Sequence, residues 1–457
     1  MLERLPNIRS LWLNDGLRFN EAYTETPLCC PSRATFLTGQ HTRRHGVVRQ
    51  RARLLDPSMT IATTLDGAGY YTAMVGKYLN HSRALPDKSP PGWDRVALLS
   101  WMPRFEPVSR WWVDDVEIKA PENDDRLTLQ LAVDWLREAP ANDPLFMWVN
   151  PRAPHWSTSA DLGWRPEVEP RYASDPRCDG IEPWKPPTYD YPVQPNGYPL
   201  GEICRSLLTV DEMVGDMRAA AAAQGRDPIW VFLSDNGMAW GRDGYPQKNV
   251  PQASRFPMYV AGPGVVSGST DALVSNIDIA PTLAALGGVD MPEADGVSFT
   301  GVLGGGDGRR DWMLEDHPLS GATYGPIGKT PWWGVRTRDW HLVKVEGMAP
   351  RLYDLRADPW ETTDVSADNP WWLGRLRDLA APYLYPLTEP PALPVPTRRP
   401  SAPVTNAEPT PAPTAGSIGV PAGPTTGAPT PTRGPTPSPA PTPIPLSTPG
   451  PTPIPLS

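Results

Sequence analysis

The chain has 457 residues, a formal net charge of −9 and 61 prolines. This length predicts one or two globular domains. The negative charge argues against a nucleic-acid partner, because no basic strip is present to displace counterions from phosphates. No apolar run is long enough to cross a bilayer, and the first twenty residues do not resemble a signal peptide.

Short apolar runs alternate with helical patterns through the first part of the chain. Three of these runs, at 70–80, 143–155 and 227–237, each follow a helix-like segment. This alternation predicts an α/β fold with a mostly parallel sheet sandwiched by helices. Ligands of such sheets bind beyond the carboxyl ends of the strands. The polar residues expected at that edge are Lys77, His155, Asp235 and Asn236.

The remaining elements divide the chain into three parts. A strand at 255–264 and a helix at 276–288 complete an α/β domain over residues 1–325, which also contains a long Pro-, Tyr- and Trp-rich loop at 157–200. Runs with a period near two predict a small antiparallel sheet and a short helix over residues 326–385. Residues 386–457 are predicted to form a low-complexity tail that is disordered or polyproline II, because 23 prolines fall from Pro390 onward and no aromatic residue follows Tyr385.

Four cysteines are too few for a disulfide framework in a chain of this length. Cys178 and Cys204 are candidates for a disulfide in an oxidising compartment, and the sequence does not decide whether they pair. Cys29 and Cys30 are poor partners for each other, because the Cα atoms of adjacent residues lie too close for relaxed disulfide geometry.

The segment that follows Cys29 predicts a short helix. Pro31 lies in its first turn and Gly39 just past its end. Cys29 at the helix N-terminus and Arg33 one turn later therefore indicate an anion site with a candidate thiol nucleophile. The alternative is a buried cysteine pair beside a surface arginine.

The run Cys29-Cys30-Pro31-Ser32-Arg33, followed by "ATFLTG", resembles the Cys-x-Pro-Ser-Arg signature of type I sulfatases. Further motifs follow in the family's order: "GYYTAMVGKYLN", "APH", "SDNG", "DIAPTLAALGG", "DGVSF" and "LYDLRADPWE". The resemblance covers residues 8–385 and is strongest to glucosamine-6-sulfatases and related carbohydrate sulfatases. It implies an alkaline phosphatase-like fold.

In such enzymes the first cysteine is oxidised to formylglycine by a formylglycine-generating enzyme, which implies this modification at Cys29. The hydrated aldehyde attacks sulfur and releases the alcohol, and its second hydroxyl then expels sulfate. The resemblance also implies calcium, bound by Asp235, Asn236 and the modified Cys29. The alternative for "SDNG" is an ordinary turn.

The resemblance gives roles to four further side chains. Arg33 and Lys77 are expected to hold the formylglycine hydroxyl and the sulfate. Lys248 is expected to contact sulfate and the leaving oxygen, with a surface lysine as the alternative. His155 is expected to protonate or steady the leaving oxygen. The residues left without an assigned role are His45, Asn80 and His81.

One feature of the family is missing from the sequence. The family begins with an apolar strand that ends in two aspartates, the first pair of calcium ligands, whereas the 28 residues before Cys29 contain no such strand. Asp15 lies in a turn signal and is not a convincing substitute. Either the coding sequence begins upstream of Met1 or this is a truncated relative with weakened calcium binding. The intact remaining motifs favour the first explanation.

The expected function is hydrolysis of a sulfuric ester of a carbohydrate or aryl alcohol. The alternatives are a phosphonate or phosphate ester hydrolase of the same superfamily and a catalytically impaired carbohydrate-binding relative, for which the 19 tryptophans are weak support. The family and the proline-rich tail indicate an extracellular or periplasmic location, although no exporting signal is present in these residues.

Overall fold

The computed structural model describes residues 1–101, 109–120, 123–155, 165–192, 194–245, 248–308, 310–318 and 330–387. These residues lie in one compact unit, Met1–Val395. Nearly all of the predicted tail, and residues 157–164 and 193 of the predicted long loop, lie outside the described residues.

Thirteen strands are formed by the described residues: β1 (Leu17–Tyr23), β2 (Tyr71–Gly76), β3 (Arg95–Trp101), β4 (Arg110–Val113), β5 (Val116–Lys119), β6 (Leu145–Asn150), β7 (Trp230–Leu233), β8 (Met258–Ala261), β9 (Gly268–Ser275), β10 (Trp312–His317), β11 (Trp332–Thr337), β12 (Trp340–Val345) and β13 (Arg351–Asp354). The α-helices are α1 (Pro6–Ile8), α2 (Cys29–Thr38), α3 (Thr42–His45), α4 (Ile61–Gly67), α5 (Asp124–Glu138), α6 (Leu200–Ser206), α7 (Leu208–Ala223), α8 (Ile279–Leu286), α9 (Thr300–Leu303) and α10 (Pro370–Ala380).

The first two sheets have both parallel and antiparallel pairs. One has the strand order β5-β4-β3-β2-β6, and β2 runs parallel to both β3 and β6. The other has the order β7-β8-β1-β9, in which β1 is parallel to β9 and antiparallel to β8. The predicted α/β class is confirmed. Within the described residues, however, these two sheets are mixed and not mostly parallel, since three strand pairs are parallel and four are antiparallel. A buried apolar run does not reveal the direction of its strand.

Strand β2 is buried on both faces, which explains its unbroken apolar run. Ala73 and Val75 pack with α5 and α7, whereas Met74 packs with α2, α4 and α8. Alternate residues of a strand point to opposite faces, so a strand covered by helices on both sides needs apolar residues throughout. This double covering sets the carboxyl end of β2 beside the N-terminus of α2.

Strands β6 and β7 form the facing ends of the two sheets. In the part of the chain that the structure describes, β6 pairs only with β2 and β7 only with β8. Both strands are only half-buried, although Met147 of β6 and Trp230 of β7 contribute to one apolar cluster with α5 and α7.

The C-terminal subdomain is an antiparallel sheet in the order β10-β11-β12-β13. Helix α10 covers it through Leu376 and Ala380, which pack on residues such as Val335. The predicted antiparallel subdomain is therefore confirmed. Its first strand, Trp312–His317, lies before residue 326, where the sequence analysis places its start.

Part of the long loop before α6 is fixed to the domain by a disulfide and by one of two isolated β-bridges, the other of which lies within the loop. Cys178 and Cys204 form the disulfide, with a Cα–Cα distance of 5.8 Å. The bridges join Trp184 to Tyr198 and Tyr189 to Arg242. None of the described helices is both long enough and apolar enough to span a membrane.

Candidate active site

Helix α2 begins at Cys29 and ends at Thr38, as the sequence predicts. All ten residues are buried, so the helix lies inside the domain. Gly39 closes it in the left-handed conformation, with a φ of 64°. At the other end the N–H of Cys30 donates to Gln50 Oε1 at 2.8 Å, which satisfies one of the free donors of the helix N-terminus.

The thiol of Cys29 lies among cationic groups. Lys248 Nζ is 2.8 Å from Cys29 Sγ, and His155 also forms a hydrogen bond with the thiol. Burial by itself raises the pKa of Cys29, but Lys248 and Lys77 outweigh it and hold the pKa well below its ordinary value. The charges therefore favour an anion at this position.

The two bases beside the thiol have opposite pKa shifts. Burial lowers the pKa of His155 below its usual value, so its imidazole is neutral at neutral pH. Burial also acts to lower the pKa of Lys248, but Cys29 and Asp235 outweigh it and raise that pKa. These two side chains therefore present one ammonium and one neutral imidazole to Cys29 Sγ.

A second group of contacts joins the strand ends to α2. Arg33 Nε donates to Asp235 Oδ2 at 2.8 Å, and Lys77 Nζ is 3.6 Å from the same oxygen. Arg33 Nη1 also donates to Asn150 Oδ1 at 3.1 Å. Burial raises the pKa of Asp235, but Lys77 and Arg33 outweigh it and keep the carboxylate ionised. Arg33 thereby bridges the carboxyl ends of β6 and β7.

The structure brings six of the predicted site residues together: Cys29, Arg33, Lys77, His155, Asp235 and Lys248. Asn236 follows Asp235 in the chain, and its side chain contacts the backbone of Gly237. Two residues without an assigned role lie elsewhere. His45 is buried at the far end of α2, where its Nε2 is 3.0 Å from Thr35 Oγ1, and His81 is solvent-exposed. Asn80 lies beside the site and donates its backbone N–H to Cys30 Sγ at 2.9 Å.

Sequence analysis missed several residues that support this arrangement. Asn276 Nδ2 donates to Ser32 Oγ at 3.1 Å, and Ser32 Oγ in turn donates to the backbone carbonyl of Asp235. Gln50 caps α2 and Asn150 contacts Arg33. Asn150 could have been predicted as a site residue, because it is a polar residue at the end of an apolar run. No feature of the sequence indicated Gln50 or Asn276, because their partners are distant in sequence.

Asp235 and Asn236 fit part of a calcium site. The side chain of Asn236 is buried, and its Oδ1 has no hydrogen-bond partner among the described residues, so a hard oxygen ligand is available. Asp235 adds a carboxylate that Arg33 and Lys77 contact. In the described ranges no group of three or more His, Cys, Asp or Glu side chains could hold a metal ion. Calcium takes about six to eight oxygen ligands, so these two side chains do not complete a site.

Known protein families match most of this chain. The Sulfatase family matches residues 2–289, and the family described as N-sulphoglucosamine sulphohydrolase, C-terminal, matches residues 248–371. Choline-sulfatase of Rhizobium meliloti (strain 1021) is 27% identical over 80% of this chain and 78% of its own length. N-acetylglucosamine-6-sulfatase of Capra hircus is 28% identical over 66% of this chain, which spans 60% of that relative.

Solved structures share the fold. The structure of BT4656 in complex with its substrate D-glucosamine-2-N,6-O-disulfate has a TM-score of 0.69 at 20% identity, and the match covers 83% of this chain and 92% of that one. A second structure, Ps i-CgsB in complex with k-i-k-neocarrahexaose, has a TM-score of 0.65 at 19% identity, covering 84% and 88% of the two chains. Because the family match covers more than half of the sequence, the chain belongs to the sulfatase family, whose members hydrolyse sulfuric esters.

Proposed function

We propose that this protein releases sulfate from a sulfated carbohydrate, using a formylglycine made from Cys29 by a formylglycine-generating enzyme. The observation that carries the proposal is the 2.8 Å contact between Cys29 Sγ and Lys248 Nζ at the N-terminus of a buried helix. The carbohydrate class is supported by relatives named N-acetylglucosamine-6-sulfatase and by the neighbour solved with D-glucosamine-2-N,6-O-disulfate.

The cations of the site would stabilise negative charge on the reacting sulfate. Lys77 and Lys248 both lower the pKa of Cys29 by their charge, which supports a role in offsetting negative charge on the nucleophile and on the sulfate oxygens. His155 and Lys248 both carry N–H groups at this position and would hold or protonate the leaving oxygen. Arg33 would orient Asp235 and keep it ionised.

We also propose that Asp235 and Asn236 contribute oxygen ligands to calcium. When bound, calcium would withdraw charge from the sulfate oxygens. The remaining ligands would be oxygens from outside this pair, such as those of sulfate and water. Calorimetric titration with calcium should give heat of binding in the wild type and a weaker response in Asn236→Ala. Equal binding by both proteins would overturn this role for Asn236.

The main experiment combines mass spectrometry with an activity assay. After co-expression with a formylglycine-generating enzyme, the peptide containing Cys29 should lose the mass expected for conversion of thiol to aldehyde. The same preparation should release sulfate from glucosamine 6-sulfate, and Cys29→Ala should not. A fully converted protein that releases no sulfate from glucosamine sulfates or an aryl sulfate would overturn the proposal.

A phosphate or phosphonate ester hydrolase is the second candidate, because a cationic site of this kind accepts any tetrahedral oxyanion. Matched sulfate and phosphate esters of the same aryl alcohol separate the two functions. We expect a higher kcat/KM for the sulfate ester. A preference for the phosphate ester would favour the second candidate.

We propose that the protein works outside the cytoplasm, in an extracellular or periplasmic setting. The disulfide between Cys178 and Cys204 supports this, since such bonds persist in oxidising compartments. A relative named extracellular sulfatase SULF-1 homolog, from Drosophila melanogaster, is 26% identical over 66% of this chain. Fractionation of cells that express the native gene tests the location, and a product confined to the cytoplasm would contradict it.

A further inference from the structure

We infer that Asp125 is a positioning residue for His155, through the backbone of the turn that joins β6 to His155. The inference rests on the role proposed for His155 in the hydrolysis. Asp125 lies in the first turn of α5 and is only 4% exposed. The cation cluster of the site consists of Arg33, Lys77 and Lys248. In the described part of the chain Asp125 contacts neither Cys29 nor this cluster, so any effect on the reaction must pass through its own contacts.

The contacts of Asp125 converge on one turn. Its Oδ1 accepts the backbone N–H of Arg152, and both of its oxygens accept the N–H of Ala153, at 3.2 and 3.1 Å. The same turn is closed by the N–H of His155, which donates to the carbonyl of Arg152 at 2.9 Å. The carboxylate therefore fixes the backbone of Arg152 and Ala153, and His155 is hydrogen-bonded to that backbone through Arg152.

The start of α5 is itself fixed, so the clamp is rigid. Asn123 caps the helix by accepting the N–H groups of Asp125 and Arg126 at 2.8 and 3.2 Å. A carboxylate on a capped helix can set the position of a loop more closely than the loop could by itself. The aspartate is also costly to keep charged, because burial raises the pKa of Asp125 to about 7. Despite this unfavourable burial, the carboxylate accepts from the backbone N–H groups of the turn that leads to His155, which supports a positioning function.

Asp125→Asn is the direct test. The amide keeps one carbonyl oxygen and loses the second acceptor, so the turn should shift while the helix remains capped. We expect kcat for sulfate release to fall about 10- to 100-fold, because small displacements of catalytic groups have effects of that size. KM should change less than about twofold, since the cation cluster that binds sulfate is untouched. The midpoint of thermal unfolding should stay close to that of the wild type.

Glu167→Gln is the matched control. Glu167 accepts from the side chain of Arg152 at 2.7 Å and from Asn123 Nδ2 at 3.4 Å. Glutamine at this position removes the charge and leaves both the backbone contacts of Asp125 and the cap formed by Asn123 Oδ1 intact. Its kcat should match the wild type. An equal loss of kcat in both variants would mean that the reaction depends on the ion pair of Arg152 with Glu167 and not on the contacts of Asp125 with the backbone. That result would overturn the inference.

A double-mutant cycle with His155→Ala shows whether Asp125 acts through His155. If it does, adding Asp125→Asn to His155→Ala should lower kcat by less than about twofold. Full additivity, or wild-type kcat in Asp125→Asn while His155→Ala is impaired, would overturn the inference alone. Wild-type kcat in His155→Ala would instead remove the proposed role of His155, and the positioning role with it.

Discussion

Cys29 and Cys30 are neighbours in the chain, yet their thiols have opposite pKa shifts. Burial raises the pKa of both. At Cys29, Lys248 and Lys77 outweigh burial and lower the pKa well below its ordinary value, whereas burial and the charge of Cys29 raise the pKa of Cys30 to about 12. The two side chains have different surroundings. Cys29 Sγ contacts the ammonium of Lys248, whereas Cys30 Sγ accepts from the backbone N–H of Asn80.

This contrast predicts that one of the two free thiols is ionised at neutral pH in protein made without formylglycine-generating enzyme. Ultraviolet absorbance of the thiolate should show one ionised cysteine at about pH 7 and a second only in strong alkali. Lys248→Ala should raise the pKa of Cys29, because it removes the nearest positive charge. Lys119→Ala, at an exposed position on β5, is the control and should change nothing. Two thiols that titrate together would contradict the prediction.

The residues of the site differ in how far the sequence could predict them. Cys29, Arg33 and Lys248 were named from motifs, and the structure brings them together. Asp125 and Asn276 were not named, because their contacts join residues 28 and 244 positions apart, which no local pattern encodes. An aspartate in the first turn of a helix is expected from the helix dipole alone. The sequence therefore gave no reason to expect long-range contacts of Asp125.

At the scale of elements, α2 depends on the way it ends. Gly39 has a φ of 64°, and a Cβ added there would lie 2.8 Å from Ala294 Cβ and 3.0 Å from Pro281 Cδ. Both the backbone conformation and the space at this position therefore require glycine. Helix α2 carries Cys29 at its other end, so the residue that ends the helix belongs to the same buried element as the candidate nucleophile.

Gly39→Ala should lower the free energy of unfolding by about 1–3 kcal/mol, through strain in the left-handed region and contact with Ala294. Chemical denaturation measures the change. Gly67→Ala at the end of α4 is the control, because a Cβ there meets no atom within 4 Å and its φ is not positive. The control should be neutral or slightly stabilising. Equal effects of the two substitutions would show that the end of α2 tolerates a side chain.

The sequence predicted the type of most elements, including the end of α2, because glycine and proline mark boundaries locally. It did not predict which strands run antiparallel. Strand β8 follows an apolar pattern like that of β2, yet β8 is antiparallel to both of its neighbours. Direction depends on how the chain crosses between sheets, and a buried apolar run reads the same in either direction.

At the scale of the whole molecule, the disulfide fixes the long loop to the helical layer. It joins residues 26 positions apart and links the turn at Pro176–Cys178 to α6. Closing a loop of this length stabilises a fold by about 3–4 kcal/mol in the chain-entropy account. The loop also contacts the segment after β7 through the bridge of Tyr189 with Arg242, so it is held at two separate places.

Reduction should therefore lower the midpoint of thermal unfolding measurably. The double variant Cys178→Ser with Cys204→Ser should unfold at the lower temperature with or without dithiothreitol. Its insensitivity to reductant is the control that assigns the effect to this bond. If reductant leaves the wild-type midpoint unchanged, the loop is held by its other contacts alone.

Two buried histidines in different parts of the molecule should give opposite pH dependence of stability. His341 lies between Glu315 and Glu361, at 3.0 and 3.1 Å. Burial and Arg336 act to lower its pKa, but the two carboxylates outweigh them and raise it. Burial lowers the pKa of His45 to about 3, and its Nδ1 accepts the N–H of Val47, which requires the neutral ring.

A raised pKa in the folded state adds stability below the unfolded pKa of about 6.5, and that stability is lost as pH rises through the folded value. His341→Gln should therefore destabilise the protein more at about pH 5.5 than at about pH 8.5.

A lowered pKa gives the opposite pH dependence of stability, because folding then requires the ring to remain neutral while the unfolded chain is protonated. His45→Gln should therefore destabilise the protein more at about pH 8.5 than at about pH 5.5. Denaturant unfolding of each variant at both values measures the difference, and each histidine serves as the control for the other, since general effects of pH on the fold act on both variants equally. Slopes of the same sign would show that His341 is not held in its charged form by Glu315 and Glu361.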